Sequence, residues 1–144
     1  MTTNPEDLAQ NLRALIVAEN NGNTWFDASS DPELVETVGK AIASSVADPR
    51  ISAVVGWFDA DQAVLTHVVA RELGVPRAAV DADLGLLNLY PRLRGAHGVL
   101  VLTPLHTGLV SLSSLKTFLE RAGHTVIAAI GLDPDLGLIV HELE

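Results

Sequence analysis

Apolar residues in the first third of the chain recur every three or four positions, whereas later they form short unbroken runs. The early period predicts two amphipathic helices, because side chains three and four residues apart share one helical face. The first helix begins at Asn4-Pro5; the second follows Ser30–Glu33, which has capping-box spacing, and ends near Asp48-Pro49. Their apolar stripes are Leu8, Leu12, Leu15 and Ile16 in the first helix, and Leu34, Val35, Val38, Ile42 and Val46 in the second.

The later apolar runs predict buried strands, most of them followed by an amphipathic stretch and a glycine. This alternation indicates a parallel sheet covered by helices on both faces, with right-handed crossovers and a Rossmann-like core. The predicted strands are 51–56, 77–80, 99–102 and 126–130, and the predicted helices are 61–73 and 111–122. The leucine-rich stretch 83–97 is expected to be a packed loop or a short helix, and a possible partner surface. We therefore expect one three-layer α/β domain over residues 1–144.

The composition of the 144 residues is that of a chain that folds, since 48% are hydrophobic and only 19% are charged. The apolar runs are far shorter than the roughly 20 residues of a membrane span, and the N-terminus does not have the pattern of a signal peptide. Cysteine is absent, so disulfides give no information about the compartment. The expected location is the cytoplasm.

An excess of acidic residues, 18 against 9 basic ones, gives a formal net charge of −9. That charge repels nucleic acid and anionic lipid unless a basic patch offsets it, and Arg92 and Arg94, the densest basic pair, are more simply two solvated loop arginines. We expect neither nucleic acid nor a membrane as a partner.

The candidate site lies where the parallel strands end, because open α/β sheets bind ligands beyond the carboxyl ends of their strands. The residues that follow the predicted strands are Asp59 and Asp61, Asp81 and Asp83, Thr103 and His106, and Asp133 and Asp135. Converging carboxylates suit a hard divalent cation such as Mg²⁺, so Asp59, Asp61 and Asp81 are candidate metal ligands. The alternative for each is a local role: Asp61 as a helix cap, Asp81 as a solvated loop acid.

Histidine and serine give little support for other chemistry. The five histidines lack metal-ligand spacing, and only His106, between a strand and a helix, is placed where it could act as an acid or base. A loop histidine that binds a backbone carbonyl is the simpler reading. No nucleophile elbow surrounds Ser111 and no cysteine is present, so a hydrolytic triad is unsupported.

Three blocks of the sequence resemble the type I phosphoribosyltransferases, and among them the orotate phosphoribosyltransferases. The blocks are TWFDASSDPELVETVGKAIA, AVVGWFDADQAVLTHVVARELGVP and GVLVLTPLHTGLVSLSSLKTFLERAGHTVIAAIGL, within residues 24–132. The resemblance implies the phosphoribosyltransferase-like fold, with the strands and helices in that family's order. It also implies a homodimer.

The resemblance further implies a ribose-phosphate loop after the third strand, in altered form. The family has two acidic residues at the end of this strand and then a Thr/Gly-rich loop that cradles a phosphate at a helix N-terminus. Here the acidic pair is replaced by Thr103-Pro104, and Thr107, Gly108 and Ser111 keep suitable chemistry. Thr103, Thr107, Gly108 and Ser111 are therefore the candidate phosphate-binding residues.

The family's pyrophosphate side is altered as well. Its glycine-containing turn is replaced by Trp57-Phe58-Asp59-Ala60-Asp61, whose carboxylates repel a diphosphate. The lysine-bearing loop of the family is missing, since Lys40 and Lys116 are the only lysines. Phosphoribosyl transfer needs cationic groups or metal to stabilise the leaving pyrophosphate. We therefore expect a non-catalytic protein that acts as a binding, regulatory or partner subunit.

Two alternatives stay open. One is an active orotate or nucleobase phosphoribosyltransferase with altered loops; the other is a metal-assisted reaction in which His106 supplies the acid or base.

For a binding protein, the candidate contact residues are Trp25, Phe26, Trp57, Phe58 and the leucine-rich segment, although core packing explains the aromatic residues equally well.

Overall fold

A computed structural model describes residues 5–18, 24–83, 86–104, 111–133 and 137–140. In chain order its elements are α1 (Pro5–Leu15), β1 (Ile16–Ala18), β2 (Thr24–Phe26), α2 (Pro32–Ser45), β3 (Ala53–Trp57), α3 (Ala60–Leu73), β4 (Arg77–Asp83), β5 (Leu86–Tyr90), β6 (Gly98–Pro104), α4 (Leu112–Arg121), β7 (Thr125–Asp133) and β8 (Gly137–Val140).

The two N-terminal helices confirm the prediction from periodicity. Leu8, Leu12 and Leu15 of α1 are buried, whereas Ile16 leaves the helix and begins β1, which pairs antiparallel with β2. The second helix starts slightly later than its capping-box spacing suggested. Its N-cap is Asp31, whose carboxylate accepts the Leu34 N–H at 3.1 Å.

The main sheet has six strands in the order β5-β4-β3-β6-β7-β8. Its inner four strands are parallel, which confirms the predicted core. The outer two strands, β5 and β8, pair antiparallel with β4 and β7 and were not predicted. The domain is a three-layer α/β structure with a mixed sheet.

The leucine-rich segment is where the prediction of a loop or short helix was wrong. Half-buried Leu87 and Leu89 alternate with exposed Leu86, Asn88 and Tyr90, which is the period of two of a strand with one face packed. Its high leucine content masked that period. The other missed strand, β8, is a four-residue run soon after Pro134, too short to stand out in the sequence.

The sheet separates two hydrophobic clusters. Helices α1, α2 and α3 pack on one face, where Val54, Leu100 and Ile130 point, and α4 packs on the other through Leu115 and Leu119. Neighbouring strand residues alternate between the clusters, as in a sheet covered on both sides. This arrangement fixes where each strand ends and hence where the candidate residues lie.

Candidate functional site

Asp59 is the N-cap of α3, at the carboxyl end of β3. Its carboxylate accepts hydrogen bonds from the backbone N–H groups of Asp61 and Gln62, both at 3.1 Å. The amides at the start of a helix are the groups that would bind an external anion. In this chain two of them are already bound by a negative side chain.

Asp61 ties α3 to a distant part of the chain. Its carboxylate accepts the Ala28 N–H at 3.1 Å, a contact between residues 33 positions apart. The cap of α3 is therefore Asp59, and Asp61 instead positions the segment that follows β2. The sequence suggested Asp61 for the capping role because it stands at the start of the predicted helix 61–73.

Asp27, next to the Ala28 contact of Asp61, is a carboxylate that the sequence analysis did not single out. Its carboxylate accepts hydrogen bonds from the Ser30 hydroxyl at 2.6 Å, the Ser29 hydroxyl at 2.8 Å and the Ser29 N–H at 2.9 Å. These hydrogen bonds, that of Ser30 first, lower the pKa of Asp27 to about 2, so it is ionised at neutral pH. The signal was the Asp-Ala-Ser-Ser run, which is typical of an Asx turn.

Asp81 lies within β4, opposite Asn88 of β5, rather than after the strand as predicted. The strand continues to Asp83 because the antiparallel edge strand extends the pairing. In the part of the chain that the structure describes, no three His, Asp or Glu side chains come together to hold a metal ion. The described residues therefore do not provide a ligand set for Mg²⁺. The role of Asp59, Asp61 and Asp81 as metal ligands stays a prediction without support.

Ser111 is the N-cap of α4. This helix is therefore capped by a neutral side chain, whereas α3 is capped by a carboxylate. The Ser111 hydroxyl oxygen accepts the Ser114 N–H at 3.1 Å and lies 2.9 Å from the Ser114 hydroxyl oxygen, to which it donates. The first turn of α4 carries no acidic residue. The positive end of this helix dipole is thus capped by a neutral group, which leaves it attractive to an anion.

Thr103 lies near the carboxyl end of β6, the strand that precedes α4. It was predicted to follow a strand ending at residue 102, but β6 continues to Pro104. The Thr103 hydroxyl donates to the Ile130 carbonyl of β7 at 3.3 Å. His106, Thr107 and Gly108 lie outside the described residues, so their predicted roles stay predictions.

The candidate contact aromatics divide into two groups. Phe26 is buried and Trp57 packs against the cluster beneath α4, so both have core roles. Trp25 and Phe58 are 42% and 62% exposed. The Phe58 ring contacts Tyr90, with 5.5 Å between the ring centroids.

None of the helices within the described ranges is both long and apolar enough to cross a lipid bilayer.

No protein-family model matches this sequence, and no curated protein matches it. Solved structures do resemble its fold. An adenine phosphoribosyltransferase from Leishmania donovani is 17% identical, with a TM-score of 0.64 over 87% of this chain and 66% of that one. An adenine phosphoribosyltransferase from Rhodothermus marinus is 18% identical, with a TM-score of 0.68 over 88% of this chain and 86% of that one.

UMP synthase from Leishmania donovani is 15% identical, with a TM-score of 0.64, and the similarity covers 88% of this chain but 30% of that one. This chain thus spans slightly less than two thirds of the first of these three structures and about a third of the last. At these identities the similarity establishes the architecture and leaves the activity open. The chain has the type I phosphoribosyltransferase fold.

Proposed function

We propose that this chain is a non-catalytic phosphoribosyltransferase-like protein that binds a small phosphorylated ligand and acts as a regulatory or partner subunit. The observation that carries the proposal is the Asp59 cap of α3. In the family that the sequence resembles, this turn meets the pyrophosphate, and here a carboxylate occupies two of its N–H groups. We also propose a cytoplasmic location.

Electrostatics make this end of the site unfavourable for a diphosphate. A diphosphate brought to the start of α3 would have to displace the Asp59 carboxylate from its N–H donors and would meet Asp61, two residues further on in the same turn. Like charges at contact distance repel by about 1 kcal/mol in water and by several-fold more near a protein surface. Asp59 and Asp61 therefore oppose both the binding of a phosphoribosyl diphosphate and the build-up of charge on a leaving pyrophosphate.

The start of α4 favours a single phosphate instead. Ser111 caps this helix without adding charge, and Thr103 is the penultimate residue of β6, the strand that precedes it. Together with Thr107 and Gly108, which lie between them in the sequence, these residues make up the proposed phosphate site. A helix N-terminus that presents N–H groups and a dipole binds a monoester well.

We expect ribose 5-phosphate to bind the purified protein, and Ser111→Asp to weaken that binding about tenfold or more. Aspartate is as good an N-cap as serine, so the helix keeps its cap while the site gains a repelling charge. Ser111→Asn is the matched control, since it caps without charge and should change the affinity by no more than about threefold. Isothermal titration calorimetry measures both affinities.

Absence of ribose 5-phosphate binding to the wild type would contradict the proposed ligand class. Equal effects of the two Ser111 variants would contradict its location at α4. The affinity for phosphoribosyl diphosphate with Mg²⁺ should not exceed the affinity for ribose 5-phosphate, because the diphosphate end meets the carboxylates of Asp59 and Asp61.

An active orotate or nucleobase phosphoribosyltransferase is the second candidate. It is favoured by the fold shared with adenine phosphoribosyltransferases and with UMP synthase. Incubation with phosphoribosyl diphosphate, Mg²⁺ and either orotate or adenine, followed by a pyrophosphate assay, separates the two candidates. Pyrophosphate release that depends on the base would replace the first proposal with the second.

A homodimer is part of the proposal, and its expected contact is the exposed pair Phe58 and Tyr90 beside the edge strand β5. Phe58→Asp should convert the dimer to a monomer, because it places an unpaired charge in an apolar contact. Thr117→Asp, on an exposed position of α4, is the control and should leave the dimer intact. Light scattering coupled to size exclusion gives the mass, and a monomeric wild type would contradict this part.

A further inference from the structure

A cavity of about 580 Å³ lies on the face of the sheet that α4 covers, between β5 and the last turn of that helix. Arg92 and Leu93, which line it, precede β6, and His124, which also lines it, directly precedes β7. The β5 part of the lining pairs with the carboxyl half of β4, so the cavity extends along that strand, and neither Thr103 nor Ser111 lines it. Its volume is in the range of small-molecule sites.

One side of the cavity is apolar. It is formed by Leu87 and Leu89 of β5, by Leu93, and by Phe118 of α4. All four side chains also pack against the buried cluster beneath α4, which holds them in place. A fixed wall of leucine and phenylalanine suits a flat hydrophobic ring.

The charge of the lining is opposite to that of the chain. Arg92 is the charged lining residue, and none of the described residues that line the cavity is a carboxylate. The whole chain carries 18 acidic and 9 basic residues, so this lining differs in charge from the average composition of the chain. Arg92 is exposed and has no ion-pair partner among the described residues, which leaves its guanidinium available to an anion.

His124 supplies a neutral donor beside this cation. Its side chain is 4% exposed, and its Nδ1 accepts the His97 backbone N–H at 3.2 Å. Burial, and then the nearby His97, lower the pKa of His124, so the ring is neutral at neutral pH. Because Nδ1 is an acceptor, the ring proton is on Nε2, which leaves an N–H for a ligand.

The segment that carries Arg92 is held by further hydrogen bonds. His97 Nε2 donates to the Arg94 carbonyl at 2.9 Å, and His97 Nδ1 lies 2.8 Å from the Ser52 hydroxyl, which in turn accepts the Gly98 N–H at 3.2 Å. These bonds join the stretch before β6 to the one before β3. They therefore hold the backbone from Arg94 to Gly98, which follows Arg92 along the chain.

We propose that this cavity is a second binding site, for a small planar aromatic carboxylate. The carboxylate pairs with Arg92, the Nε2–H of His124 offers a further hydrogen bond, and the ring lies against Phe118 and the leucines. The site is independent of the proposed phosphate site, with which it shares no lining residue.

Benzoate and benzamide test the proposal, because they have nearly the same shape and differ in charge. Benzoate should bind at least about tenfold more tightly than benzamide, and Arg92→Gln should remove that preference. Arg94→Gln is the matched control: Arg94 is exposed in the same segment but does not line the cavity, so benzoate affinity should change less than about twofold. Calorimetry gives the affinities, and amide NMR shifts should cluster at Phe118, Ala122 and His124.

Three results would overturn the proposal: no benzoate binding, equal affinity for benzamide, or equal losses in the two arginine variants. Shifts centred on Ser111 and Thr103 would place benzoate at the phosphate site and overturn it too. Ribose 5-phosphate binding should be unaffected by Arg92→Gln, so failure here is distinguishable from failure of the proposed function.

Discussion

Replacing Leu100 by alanine is expected to lower the free energy of unfolding by about 2–5 kcal/mol. Its side chain is fully buried, and β6, which carries it, lies between β3 and β7 in the middle of the sheet. The cluster around it joins three helices to the sheet, so its neighbours have little freedom to close the resulting void. Urea denaturation measures the loss as a shift of the midpoint at constant slope.

Leu86→Ala is the control for this prediction. It removes the same atoms from a side chain that is 69% exposed, so its effect should stay within about 0.5 kcal/mol. Similar losses for the two variants would contradict the central position of β6 in the sheet.

Replacing Gly56 by alanine is expected to destabilise the protein by about 1–3 kcal/mol, and Thr66→Ala is expected to restore part of the loss. A Cβ at position 56 would overlap the Thr66 hydroxyl oxygen and lie 3.2 Å from the Thr66 Cβ. The Thr66 hydroxyl is itself held by a 2.8 Å hydrogen bond to the Gln62 carbonyl, so it cannot turn away without losing that bond. Thermal or urea unfolding of the two single variants and the double variant measures the coupling.

Gly39→Ala provides the control for that rescue. A Cβ at position 39 would overlap Val68 instead, with the Val68 Cβ at 2.9 Å, so Thr66→Ala should bring no relief. The effects of Gly39→Ala and Thr66→Ala should therefore add, whereas those of Gly56→Ala and Thr66→Ala should not. Additive effects in both pairs would contradict the close approach of α3 to β3.

The central part of the fold could be predicted because local and global signals agree there. Leu8, Leu12 and Leu15 repeat at helical spacing and are buried, and Gly74 ends α3 with a φ of 70, as its position after the apolar stripe suggested. The parallel inner strands are continuous apolar runs because both their faces are covered. Edge strands lack that signal, since only one of their faces is packed, and β5 and β8 were missed for this reason.

The position of the candidate site could be predicted from the sequence, but the hydrogen-bond partners of its residues could not. Strand ends locate the carboxyl edge and led to Asp59 and Thr103, whereas Ser111 came from the resemblance to the family's phosphate loop. They do not reveal that Asp59 rather than Asp61 caps α3, because Asp61 is directed to Ala28, 33 positions away. Long-range contacts of this kind depend on the packing of whole elements and leave no spacing signal in the sequence.

The cavity between β5 and α4 has no sequence motif at all. Its lining comes from β5, the stretch before β6, α4 and the residue before β7, and only the fold brings them together. Arg92 was expected to be a solvated loop residue, and its exposure agrees with that reading. The feature that the sequence could not supply is its position beside His124 and Phe118.

Helix α4 links the proposed phosphate site to the cavity: Ser111 precedes its first turn, and Phe118 and Ala122 line the cavity near its last. Its ten residues span about 15 Å. A coupling free energy between the two binding sites is reciprocal. An aromatic acid that tightened phosphate binding tenfold would therefore itself bind tenfold more tightly to the phosphate-loaded protein. A chain of this kind would then report one metabolite in terms of another without carrying out a reaction on either.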